Sequence, residues 1–176
     1  MEFIETKLKG AYIITPSLLN DERGFFTRVY CNKELAEQGL AEVGVQCNLS
    51  YNVKAGTLRG MHYQEPPYQE DKLVRCTIGS IYDVIIDLRE DSPTYCRYIG
   101  VNLSSKNRQS LYVPKGFAHG YFTLEDHTEV YYQVSQYYTK GAEQGIMWND
   151  SAFGIRWPYD PKVISDRDKQ HPKFVR

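Results

Sequence analysis

Among the four cysteines, Cys31, Cys47, Cys76 and Cys96, there is no CxxC pair, and the chain contains no GxSxG, no Walker A loop and no GxGxxG opening a helix. Nucleophile-elbow hydrolases, P-loop NTPases and dinucleotide-binding enzymes are therefore unsupported. The widely spaced cysteines read as buried thiols from a reducing compartment. None sits in the His and Asn context of a thiol nucleophile. No stretch approaches the roughly 20 apolar residues of a membrane helix. The N-terminal MEFIETKLKG lacks the apolar run of a secretory signal. A cytoplasmic location without a membrane partner is expected. An excess of one charge is missing too: 21 basic against 22 acidic residues leave a net charge of -1. Nothing in that balance draws the chain to nucleic acid. Internal repeats, low-complexity tracts and linkers are absent.

What is present is a β pattern. The 176 residues, 41% hydrophobic and 24% charged, are read as one domain, 1–176, large enough to bury a core. Tyrosine is abundant at 15 residues, a residue favoured in strands and in pockets with one polar side. KGAYIITP (9–16) reads as a strand stopped by Pro16, and FFTRVY (25–30) as another. NKELAEQGL (32–40) reads as a short helix with Asn32 as N-cap and Gly39 as stop. KLVRCTI and IYDVIIDLR flank Gly79 and Ser80, a two-residue hairpin signal. YIGVNLS, QSLYVP, HGYFTLE and TEVYYQVSQYY follow at short spacing, as in a sandwich or barrel. The loop-rich end needs a surface on which to pack Trp148 and Trp157.

Side-chain alternation locates the chemistry. On the strand from Lys72, one face carries Lys72, Val74, Cys76 and Ile78, so an apolar, inward row begins with a lysine. Its amine is either snorkelling to water or a charge in use. Val130, Tyr132 and Val134 share another row, where the Tyr132 hydroxyl needs a partner. In RGMHYQ (59–64), His62 shares a face with Leu58, Gly60 and Gln64, and strict alternation puts Arg59 opposite. A bend or bulge at Gly60 would bring Arg59 and His62 together. His62 alone reads as a satisfied core or rim histidine. Asp168, in SDRDKQHP, reads alone as a solvated loop carboxylate. A metal is not expected: Gln64 stands where a second histidine would be wanted, Lys72 is a nearby cation, and three or four ligands are not in view.

Taken together, DERGFF, QCNLS, RGMHYQ, KLVRC, DVIIDLR, DSPTY, VPKGFAHG, EVYYQVSQYY, GIMWND and IRWP…SDRD resemble, in order and spacing, the dTDP-4-dehydrorhamnose 3,5-epimerase family over nearly the whole chain. The resemblance implies a mainly β fold, the double-stranded β-helix or cupin jelly-roll barrel with a few short helices, a homodimer, and no metal or other cofactor. It implies isomerisation of a nucleotide-diphosphate-linked 4-keto-6-deoxyhexose at carbon 3, carbon 5 or both. Hydrogens beside the carbonyl leave as protons and give an enolate. Inversion needs a base on one face, a donor on the other and positive charge at the carbonyl oxygen.

By that resemblance His62 is the base, Asp168 the carboxylate that orients it, Tyr132 the proton donor and Lys72 the cation at the oxygen. Arg23 and Arg59 match diphosphate contacts, with Arg167 as a third. Gln46 and Asn48 match sugar or nucleotide contacts. His119, Tyr138 and Glu143 fall on pocket positions, and Phe26 on one near the base that reaches across the dimer. Arg28 stands where glutamate is frequent, a charge reversal that leaves the base open among dTDP, CDP and GDP. Members specific for carbon 3 or carbon 5 share these residues. A non-catalytic nucleotide-sugar-binding cupin and a metal-dependent cupin oxygenase are the competing classes.

Overall fold

A computed structural model describes residues 1–175. In chain order the strands are β1 (Glu2–Glu5), β2 (Tyr12–Thr15), β3 (Leu19–Asp21), β4 (Gly24–Phe26), β5 (Gln46–Asn52), β6 (Thr57–Gln64) and β7 (Lys72–Ile78). They continue as β8 (Ser80–Asp87), β9 (Tyr98–Ser104), β10 (Ser110–Val113), β11 (Phe117–Thr123), β12 (Thr128–Val134), β13 (Glu143–Gly145) and β14 (Val163–Ile164). The helices are short: α1 (Asn32–Glu37) and α2 (Asp166–Lys169). One sheet has the order β1-β2-β10-β7-β12-β5, the other β13-β6-β11-β8-β9 with β14 added parallel to β6. β3 and β4 form a separate hairpin. This is the mainly β, cupin-type architecture that the resemblance implies.

The inner faces meet in one core. Val74, Cys76, Leu111, Val113 and Val130 from the first sheet pack with Ile81, Ile85, Leu103, Phe117 and Tyr121 from the second. Burying each such apolar side chain stabilises the fold by about 1.5–3 kcal/mol. The outer face of the first sheet is covered by Leu35 of α1 and by Val43, against Leu73 and Tyr112. The outer face of the second is covered by the C-terminal segment, where Phe153 and Trp157 pack beside Met61 and Val84. Trp157 also donates its Nε1–H to the Trp148 carbonyl at 2.9 Å. That segment is how the two tryptophans find their surface. Towards the start of β7 and the ends of β6 and β12 the inward row turns polar, and there the barrel holds a cavity.

Several local expectations are corrected. Gly79 does not close a hairpin, because β7 and β8 belong to different sheets. Its φ of +77° turns the chain at a corner, and a Cβ there would lie 2.5 Å from Thr128 Oγ1. FFTRVY is a strand only to Phe26. Asn32 is the first helical residue, Cys31 is the N-cap and no side chain caps the helix; Gly39 does follow its end with φ +71°. Ile78 is exposed, since β7 carries an extra residue between the partners of Glu129 and Val130 and the alternation breaks there. Of the cysteines only Cys76 is buried; Cys47 is exposed on the edge strand β5.

Candidate active site

The cavity has a volume of about 610 Å³, within the range of small-ligand sites. Its two walls come from the two sheets. One carries Gln46 and Asn48 from β5, Lys72 from β7 and Tyr132 from β12; the other carries Arg59 and His62 from β6, His119 from β11 and Glu143 from β13. The structure therefore gathers nine of the fourteen residues singled out in the sequence around this cavity, Tyr138 included, and places Arg167 and Asp168 beside His62.

Arg59 and His62 share this wall because of a bulge. Across the β6–β11 pairing, His119 stands opposite His62 but Tyr121 stands opposite Arg59, so β6 carries one residue more than its partner. Gly60 makes the bulge with φ +127°, and a Cβ on it would sit 2.5 Å from Gly120 Cα. The extra residue turns Arg59 inward, while Leu58 and Met61 stay in apolar packing. Arg59 donates from Nε to Asn52 Oδ1 at 2.8 Å and from one terminal nitrogen to the Tyr51 carbonyl at 3.4 Å, which fixes the fork.

Asp168 is not a solvated carboxylate. It is only 4% exposed, on α2, where its N–H donates to the Ser165 Oγ cap at 3.1 Å. The parallel pairing of β14 with Thr57 and Leu58 lays the following helix behind His62. Asp168 Oδ1 then lies 2.8 Å from His62 Nε2, and Oδ2 accepts the Gly60 N–H at 3.1 Å. Burial alone would raise its pKa. The His62 bond, the charge of His62 and the Gly60 N–H outweigh that and hold the carboxyl below its ordinary range. With His62 Nε2–H donating to Asp168, Nδ1 keeps the lone pair.

On the opposite wall Tyr132 is half-buried, and among the described residues nothing bonds its hydroxyl. Burial raises its pKa, and Tyr121, Glu70 and Glu143 raise it further, so it stays a phenol that can donate. Lys72 is 8% exposed and pairs with Glu70 at 3.0 Å. Its buried charge is thus matched rather than snorkelling. His119 is buried with Nε2 2.8 Å from Asp83 Oδ1. Tyr138 donates to Glu143 at 3.4 Å and Arg167 pairs with the same carboxylate at 2.6 Å. Gln46 donates to Asn48 Oδ1 at 3.0 Å. Gln64 is a structural clamp: its amide donates to Glu70, Tyr68 and Tyr137, and its carbonyl accepts the Thr139 N–H.

Arg23, Phe26 and Arg28 do not line this chain's cavity. They belong to the exposed β3–β4 hairpin or just follow it, where Arg23 pairs with Asp21 and Arg28 with Glu34. Phe26 is 71% exposed. The sequence reading also missed Glu70 and Asp83, the partners of Lys72 and His119, and it missed His171. The last lies with its ring edge-on to His62 at 5.4 Å. Burial lowers its pKa, and the charge of His62 lowers it further. A signal for buried Asp168 was present: Ser165 three residues earlier is a capping pattern that marks a helix start.

Two facing sheets with a His–Asp pair on one wall of the cavity and a phenol on the other make a cupin-type barrel with a polar pocket. The family described as dTDP-4-dehydrorhamnose 3,5-epimerase matches residues 5–176. An enzyme of that description from Shigella flexneri is 42% identical over 176 residues, covering 99% of this chain and 97% of its own. The structure resembles the enzyme from Bacillus anthracis with TDP and PPi bound, at TM-score 0.95 and 44% identity over 98% of this chain and 99% of the other. It also resembles the Legionella pneumophila epimerase in complex with dTDP-4-keto-L-rhamnose, at TM-score 0.91 and 35% identity over 98% and 92% of the two chains. The chain belongs to the dTDP-4-dehydrorhamnose 3,5-epimerase family, a family of isomerases.

Proposed function

We propose that this chain inverts carbon 3, carbon 5 or both of a nucleotide-diphosphate-linked 4-keto-6-deoxyhexose, converting dTDP-4-dehydro-6-deoxyglucose to dTDP-4-dehydrorhamnose. The observation that carries this reading is the placement of the Asp168-bonded His62 and the Tyr132 phenol on opposite walls of one cavity. His62 Nδ1 takes the proton beside the carbonyl. Asp168 holds the ring and stabilises the imidazolium. Charge passes to the carbonyl oxygen, where the buried Lys72 ammonium balances it. Tyr132 then gives a proton to the other face of the same carbon. The next turnover needs His62 deprotonated and Tyr132 reprotonated, so the net change is stereochemical and no electron donor enters.

Arg59 is the diphosphate contact from this chain, with Arg167 at the rim and Gln46 and Asn48 towards the sugar or base. Two features support a homodimer. β5 is an edge strand with Leu49 and Tyr51 exposed and Val53 exposed just after it, and the β3–β4 hairpin exposes Leu19, Phe25 and Phe26. Paired edge strands would cover the first set and carry Arg23, Phe26 and Arg28 towards the partner's cavity. No helix among the described residues is long and apolar enough to cross a membrane. The test couples the protein to a ketoreductase that accepts only the epimerised sugar and follows NADPH oxidation. Oxidation dependent on this protein with the dTDP sugar is expected. Oxidation only with a CDP- or GDP-sugar would move the nucleotide assignment, and none with any of the three would overturn the reading.

A further inference from the structure

The proposed reaction uses His62 and Asp168 and leaves the imidazole beside them without a task. His171 is only 8% exposed. Its ring is seated on Gly145, where a Cβ would lie 2.2 Å from Cε1 and 2.3 Å from Nε2. Any side chain at 145 would expel it. Gly145 is the cross-strand partner of His62 in the β13–β6 pair, so this seat is what sets the two rings side by side. His171 Nε2 lies 3.3 Å from Asp168 Oδ1 yet is off the line of a hydrogen bond, a buried nitrogen with no bonding partner. Buried polar atoms left in that condition cost free energy and call for an explanation.

One donor atom from each of His62, Asp168 and His171 lies within 4.8 Å of the others. Two imidazoles and a carboxylate, with an open fourth position, are a ligand set for zinc-class cations. Tetrahedral bonds of about 2.0–2.2 Å put neighbouring donors roughly 3.3 Å apart. The observed separations from Asp168 Oδ1 are 2.8 Å to His62 Nε2 and 3.3 Å to His171 Nε2.

We propose that His62, Asp168 and His171 form an inhibitory site for a divalent cation of the zinc class, which takes the base of the epimerase out of service. The cation accepts the lone pairs of His62 Nε2, His171 Nε2 and Asp168 Oδ1. The proton formerly on His62 Nε2 moves through solvent to Nδ1, so the ring stays neutral. Nδ1, the nitrogen that would receive the substrate proton, is then already protonated. Hard cations such as Mg²⁺ prefer oxygen ligands and do not bind here. The inhibitory role rests on the assignment of His62 as base; the binding does not.

Equilibrium dialysis of the whole protein against Zn²⁺ reads binding without any sugar. One Zn²⁺ per chain is expected, weakened at least ~10-fold by His171→Gln. Zn²⁺ should inhibit epimerisation, measured against each protein's own metal-free rate, with the same ~10-fold shift in His171→Gln, reversal by chelator and no effect of Mg²⁺. A parent that retains no Zn²⁺, or a variant that binds equally well, overturns the site. If the variant does not fold, imidazole ¹⁵N signals of the parent decide: Zn²⁺ must shift His62 and His171, and a shift confined to His119 or His127 contradicts the proposal. Zn²⁺ bound through His171 by a protein that epimerises no sugar would overturn the epimerase reading and leave the site standing.

Discussion

In the proposed reaction His62 and Tyr132 divide one proton transfer between two walls, and their substitutions should separate its halves. His62→Ala removes the base and should lower the rate at least ~10²-fold; near-parental turnover would remove it from that role. Tyr132→Phe should spare exchange of the substrate hydrogen and suppress the epimer, as seen by NMR of the sugar. Equal loss of both would contradict the donor assignment. Asp168 makes a prediction about stability. Its carboxyl is held below the ordinary range by His62 and the Gly60 N–H against the opposing effect of burial. A depressed pKa contributes stability that is present above the unfolded value of about 3.9 and lost as pH falls through the folded value. Urea midpoints of Asp168→Asn should therefore fall less steeply than the parent's between roughly pH 5 and 3. Parallel slopes would show that the pairing contributes nothing to folding. At this scale the sequence exposed residue types but not partners. Lys72 was legible as an inward lysine, whereas Glu70, which matches its charge, sits two residues away on a loop that alternation does not read.

The element that makes the site is the β6 bulge. Strict alternation separates Arg59 from His62, and Gly60 was the sequence's sign that the strand departs from it. A side chain at Gly60 would meet Gly120 Cα at 2.5 Å and would need a φ of +127°, worth about 1–3 kcal/mol of backbone strain by itself. Gly60→Ala should lower the urea midpoint accordingly and reduce activity by turning Arg59 away; parental stability and rate would show that the bulge is not required. Gly79 teaches the opposite lesson. A glycine between two strand patterns signals a turn, but the local sequence does not say whether the turn pairs its strands or passes the chain to the other sheet. His171 was missed for a similar reason, because its position depends on a seat at Gly145, 26 residues earlier, that only pairing creates.

For the molecule as a whole, the longer strands from β6 to β12 were readable from period and turns, the short β1, β3, β13 and β14 were not, and the cupin arrangement came from the joined motifs. Association was less readable, since nothing local says that β5 is an edge strand or that its outward-facing Leu49 and Tyr51 are left uncovered. If copies pair through that edge, light scattering should give twice the 20.4 kDa chain mass, and Leu49→Asp should halve it. A parent that runs as a monomer at micromolar concentration would contradict the dimer and leave Arg23, Phe26 and Arg28 without a site. The central claim is proton abstraction by the Asp168-held His62 from a 4-keto sugar bound in the cavity. It is tested most directly by proton NMR of dTDP-4-keto-6-deoxyglucose with the protein in deuterium oxide. The account predicts loss of the carbon 3 signal, the carbon 5 signal or both with the parent, and their persistence with His62→Ala. Unchanged signals with the parent, or equal exchange by the variant, would contradict it.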